Sequence, residues 1–112
     1  MINKENIIKQ INNWFKNYNG GGLITPDGWF GRPYDNIHML TCLIVRSTKV
    51  ILELDEQLLL TFTDLKSISD KGTELIFENY SQCVFDWQEY GNVKSHVSVY
   101  KSGIVKIVAP PG

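Results

Sequence analysis

Cysteine and histidine are scarce in this chain: its 112 residues include two of each. Cys42 and Cys83 show no C-x-x-C spacing, and each sits inside an apolar run. Both are therefore expected to be buried free thiols, not a bridge or half of a zinc site. His38 and Cys42 can share one strand face, but four residues of extended chain hold them ~13 Å apart, beyond the reach of a common ion. No metal and no other cofactor is expected.

Long apolar runs are missing too. No stretch reaches the length of a membrane span, and the first residues lead into an amphipathic pattern, not the apolar core of a signal peptide. The expectation is a cytoplasmic protein with no membrane partner. Dense Lys/Arg clusters are also absent and the isoelectric point is about 6.1, which disfavours a nucleic-acid platform. So are the motifs that mark common catalytic sites: G-x-S-x-G, the phosphate-binding G-x-x-x-x-G-K, a dinucleotide fingerprint after a strand, and H-E-x-x-H. The leaning is towards a protein that is not an enzyme.

What remains is an ordinary globular composition, 43% hydrophobic and 12% aromatic. A chain of this length forms one domain and can bury about two-thirds of its surface, enough to fold without disulfides. The net charge of −1 is unevenly spread: the segment from Glu53 to Glu89 carries a local balance of −7, the remainder +6. Solvated strand faces account for such a pattern, and so does an acidic surface that meets a partner protein with a basic one.

Residues 1–19 read as one helix. Ile7, Ile8, Ile11, Trp14, Phe15 and Tyr18 recur on one face of a 3.6-residue period, Asn3 can cap the start, and Asn19-Gly20 suits a left-handed end. From residue 37 to 109 the period is two. Val50, Leu52 and Leu54 alternate with outward positions, as do Leu58, Leu60 and Phe62, and then Cys83, Phe85 and Trp87. Strands joined by such short turns are antiparallel. The expected fold is α+β: one N-terminal amphipathic helix packed on an antiparallel β-meander of about seven to eight strands, curved or partly closed as a barrel. The strand over residues 38–46, apolar on both faces, is expected to be central or to lie beneath the helix.

Between helix and strands, residues 20–36 form a Gly/Pro/aromatic loop with five of the nine glycines and two of the four prolines. Gly20-Gly21-Gly22 follows a helix and does not open one, so it reads as cap plus hinge, not a phosphate cradle. Leu23-Ile24-Thr25 can form a short extended piece, and Thr25-Pro26-Asp27-Gly28 fits a type I turn. Trp29, Arg32, Tyr34, Asp35 and His38 are the candidate ligand- or partner-binding residues. Arg32 offers a fork for carboxylate or phosphate, Trp29 and Tyr34 flat apolar surfaces with a polar handle, and Asp27, Asp35 and His38 can donate, accept or titrate. The structural alternative has Trp29, Phe30 and Tyr34 plugging the end of the sheet while Arg32 pairs with an acid.

The block Pro26-Asp27-Gly28-Trp29-Phe30-Gly31-Arg32-Pro33-Tyr34-Asp35-Asn36, with His38, Phe85-Asp86-Trp87 and Tyr90-Gly91, resembles a pattern in a family of small uncharacterised bacterial proteins of similar length. The resemblance implies a stand-alone bacterial protein and assigns no activity. The leading functional expectation is a non-enzymatic protein-binding module that docks on a target, as small immunity-type proteins do. The alternatives are a small-ligand binder or minor enzyme built on residues 27–38, and a structural homo-oligomer, a homodimer pairing through an edge strand such as residues 104–109.

Overall fold

A computed structural model of the chain describes residues 4–30, 37–88 and 95–110. The helix α1 (Lys4–Asn17) is followed by ten strands: β1 (Gly22–Thr25), β2 (Gly28–Trp29), β3 (Leu40–Val45), β4 (Lys49–Leu54), β5 (Leu58–Thr63), β6 (Ser67–Asp70), β7 (Glu74–Glu78), β8 (Gln82–Gln88), β9 (Ser95–Tyr100) and β10 (Val105–Val108). They form two five-stranded sheets, sheet I in the order β2-β1-β10-β7-β6 and sheet II in the order β3-β4-β5-β8-β9, every neighbouring pair antiparallel where registered.

The expected barrel is thus corrected to two separate sheets, and the seven to eight strands to ten. The physical reason lies in two corners. Residues 58–88 are one long hairpin, β5 paired to β8 at its base and β6 to β7 at its tip. Asp64 and Asn79 bend both arms at φ of 53° and 56°, and Lys66 N–H to Asn79 O and Ser81 N–H to Thr63 O keep the ladder connected through the bend. Asn and Asp tolerate this left-handed backbone better than most residues, so the hairpin folds from one layer to the other without a glycine. A simple meander would have kept it in one sheet. At the tip, Asp70 Oδ1 accepts the Gly72 N–H at 2.9 Å and Gly72 takes φ of 78°.

The alternating positions meet between the layers. Leu52, Leu54, Leu60, Phe62, Cys83 and Phe85 from sheet II face Leu23, Leu75, Phe77, Val105 and Ile107 from sheet I, all essentially inaccessible. Phe62 stacks on Phe77 at 4.7 Å with the rings 15° apart, a contact worth about 1 kcal/mol beyond its burial.

The helix buries Ile7, Ile11 and Trp14, the stripe expected from its period, with Ile8, Phe15 and Tyr18 packed against the same core. It lies against β3 and β6, an outer strand of each sheet, and the Trp14 indole N–H donates to Gly72 O at 3.1 Å. β3 is therefore an edge strand under the helix, not a central one. Cys42, on its outward side, is exposed, so the expectation that both thiols are buried holds for Cys83 alone. Residues 104–109 do not offer an edge either: β10 runs between β1 and β7 with both sides paired.

Glycines 20–22 also act differently from a hinge. Gly20 takes φ of 114° and ends the helix region. Gly21 bridges to His38 through N–H to O bonds of 3.1 and 2.8 Å, and Gly22 opens β1 opposite Val108. A Cβ on Gly21 would stand 2.7 Å from Val108 O, 2.8 Å from the Trp14 ring and 2.9 Å from Ile107. The glycine is required there by close packing, not by flexibility.

Candidate functional site

The structure describes Asp27, Trp29 and His38 of the sequence-derived candidates, while Arg32, Tyr34 and Asp35 lie outside the described residues. Asp27 sits exposed at the tip of the β1–β2 hairpin, where the buried Thr25 hydroxyl accepts its N–H at 3.1 Å and donates to Gly28 O at 3.0 Å. Trp29 lies over Gly22, whose missing side chain makes room for the ring. His38 is drawn inward: its Nδ1 stands 2.7 Å from Asp55 Oδ2, and Phe30 packs on the imidazole at 5.9 Å.

Asp55 fixes this histidine. At φ of 57° it turns the chain between β4 and β5, accepts the Met39 N–H on Oδ1 at 2.9 Å and holds His38 on Oδ2. Nδ1 faces the carboxylate, and Nε2 is buried with no hydrogen-bond partner among the described residues. The ring is a peg between the start of β3 and the β4–β5 turn. Among the described residues no three His, Cys, Asp or Glu side chains gather closely enough to hold a metal ion.

A more open site lies elsewhere, beside the first turn of the helix. The β3–β4 turn, the two corner connections and α1 enclose a cavity of about 1050 Å³. Its floor is apolar: Ile7, Val45, Val50, Leu65 and the Tyr80 ring are each less than 9% exposed. Its rim carries Lys4, Arg46, Lys49 and Lys66 against a single acid, Asp64, whose carboxylate already accepts the Ser81 hydroxyl at 3.2 Å. Among the described residues no carboxylate pairs with any of the four cations. Four cations on one rim reinforce one positive field.

Two buried groups stay protonated, Tyr80 in the cavity wall and Cys83 in the core between the sheets. Burial, with smaller contributions from Cys83 and Tyr100, pushes the Tyr80 hydroxyl up to about 12, and its oxygen is buried with no partner among the described residues. Burial alone pushes the neighbouring Cys83 thiol up to about 12. Neither is an available nucleophile at neutral pH, because the reactive form of each is the anion.

Comparison with protein-family models, with curated proteins and with solved structures gives no match for this chain. The cavity therefore has to be read from its own chemistry. Sequence reading missed it because its cations are scattered over the helix, a hairpin turn and a corner. The one local signal is the Arg46-Ser47-Thr48-Lys49 turn, which places two cations where turn formers are usual. The described acids of the middle segment do not form one face. Glu53 and Asp86 point outward from sheet II, whereas Asp70, Glu74 and Glu78 belong to sheet I.

Proposed function

We propose that the protein is a non-enzymatic binder of a small amphipathic anion, an apolar body with a carboxylate or phosphate head. One observation carries this reading: a cavity of about 1050 Å³ with an apolar floor and four cations to one acid on its rim. Ligand sites are characteristically clefts of such size, mostly apolar and with a few polar groups that set orientation. The tail would cover Ile7, Val50, Leu65 and the Tyr80 ring, and the head would meet Lys4, Arg46 and Lys66. Two unbridged thiols, one of them exposed, accord with a reducing, cytoplasmic location.

Isothermal titration with decanoate and with decanol tests it, since the two differ only in the head group. Decanoate binds and decanol binds at least tenfold more weakly, and Lys4→Glu and Lys66→Glu each weaken decanoate about tenfold, the loss of one charge-assisted contact. Equal binding of acid and alcohol, or no binding of either, overturns the reading. A second reading, self-association, is favoured by the exposed aliphatic face of sheet II and is developed next.

A further inference from the structure

Strand register assembles three rows across the outer face of sheet II. The middle row is Ile44–Ile51–Thr61–Val84–Val99, each residue directly paired with the next. On one side of it runs Cys42–Glu53–Leu59–Asp86–Val97. On the other side lies Lys49–Thr63–Gln82, with Arg46 bonded to Lys49 across the hairpin turn. The outward face of a two-layer antiparallel fold is ordinarily polar. Here Ile44 and Leu59 are each 39% exposed, Val99 50% and Val97 59%.

The charges on this face are sorted. Glu53 and Asp86 flank the aliphatic row on one side, and Arg46 and Lys49 on the other. Along β4 alone the outward residues read Lys49, Ile51, Glu53, with Val50, Leu52 and Leu54 turned to the core. That order is complementary to itself when reversed.

We infer that the outer face of sheet II binds a second copy of this chain, face to face, about a two-fold axis that runs along the Ile44–Val99 row. The rotation lays the aliphatic row on itself and exchanges the flanking rows, so that Glu53 meets the partner's Lys49 and Lys49 the partner's Glu53. The other in-plane axis, along the strands, would set Glu53 over the partner's Asp86, acid on acid, with Lys49 over Gln82, and that like-charge contact disfavours it. Aligned packing of two sheets at ~10 Å is an ordinary geometry for such faces. Five strands at ~4.8 Å and three rows at ~7 Å give roughly 1,000 Å² buried in total, the lower end of specific interfaces, so the dimer is weak. This surface borders the cavity, whose rim also takes in Arg46 and Lys49; the dimer contact is assigned to Glu53 and Lys49, and the ligand head to Lys4, Arg46 and Lys66.

Sedimentation equilibrium under reducing conditions, from 1 μM to 1 mM protein, tests the inference (concentrations chosen to span ~micromolar to millimolar dissociation constants). Wild type is expected to dimerise within this range. Glu53→Lys and Lys49→Glu each weaken the dimer at least tenfold, and the double exchange Lys49→Glu/Glu53→Lys, which restores complementarity in the opposite sense, returns it to within about threefold of wild type. Glu53 also accepts the Thr41 hydroxyl at 3.0 Å, so Val99→Lys, which breaks no hydrogen bond, serves as an independent variant and leaves a monomer. Circular dichroism confirms folding of each. A wild-type monomer at 1 mM, single variants that dimerise unchanged, or a double exchange that fails to restore the dimer would each overturn the inference, including the case in which this face takes only a different protein.

Discussion

Replacing Gly21 by alanine adds a single methyl group where three neighbouring atoms already stand within 3.0 Å of it. That methyl carbon would lie 2.7 Å from Val108 O, 2.8 Å from Trp14 and 2.9 Å from Ile107 Cγ2, from three directions at once. The nearest is a carbonyl of β10, held beside β1 by the sheet I ladder. The second belongs to an indole fixed by its own hydrogen bond to Gly72 O. None is the far end of a mobile side chain, so relief requires β1 or the helix to shift. Overpacking of this kind costs about 1–3 kcal/mol, and three simultaneous contacts place Gly21→Ala near the top of that range. For a domain of this size the melting temperature should fall by roughly 10 °C. With a urea slope of ~1.5 kcal/mol/M the midpoint should drop by ~1.5 M at unchanged slope, read by the fluorescence of Trp14 and its neighbours. Gly22→Ala is the comparison: only the Trp29 ring, at 2.9 Å, stands in the way, and a half-buried ring can yield. It should cost less than half as much. A Gly21→Ala protein within 0.5 kcal/mol of wild type would refute the claim that close packing, and not flexibility, sets the glycine there (a threshold of about the size of an ordinary surface change).

Three other outcomes are expected. The Cys83 thiol is pushed up to about 12 by burial, whereas the unfolded thiol ionises near its ordinary value of 9.0, so its contribution is complete below about pH 9 and declines as pH rises towards 12; Cys83→Ala should flatten stability against pH over that window in urea titrations, and parallel curves would contradict it. Tyr80→Phe removes a buried hydroxyl that has no partner among the described residues, so it should leave stability unchanged or raise it by about 1 kcal/mol, and a loss greater than about 1 kcal/mol would reveal a bond to that oxygen. Trp14→Phe deletes the bond to Gly72 O and part of the largest fully buried side chain, and a cost of about 2–3 kcal/mol by urea unfolding is expected; below about 1 kcal/mol, the helix is not pinned through this ring.

The helix and most strands were legible because each depends on a local repeat. The stripe of Ile7, Ile11 and Trp14 and the alternation through Val50, Leu52, Leu54 and Leu58, Leu60, Phe62 are buried as their periods require. The layering was not legible, because it depends on Asp64 and Asn79, whose left-handed backbone carries no distinctive mark among polar turn residues. The apolar run 40–45 was open to two explanations for a similar reason: one of its faces lies under the helix and the other belongs to the exposed aliphatic row. Of the candidate site, the residue types at Trp29 and His38 were visible, but not that His38 would turn inward to Asp55, which is adjacent only once the β4–β5 turn folds back.

The sequence alone therefore determined the helix, its buried face, the strand alternation and the absence of any local metal or catalytic motif, since these are read over a few residues. Tertiary structure decided where the chain changes sheets, which glycine is crowded and which charges become neighbours. Lys4, Arg46 and Lys66 share a rim, and Glu53 and Lys49 flank one aliphatic row, because folding brings together groups that the chain keeps apart, and charge interactions depend on that distance in space.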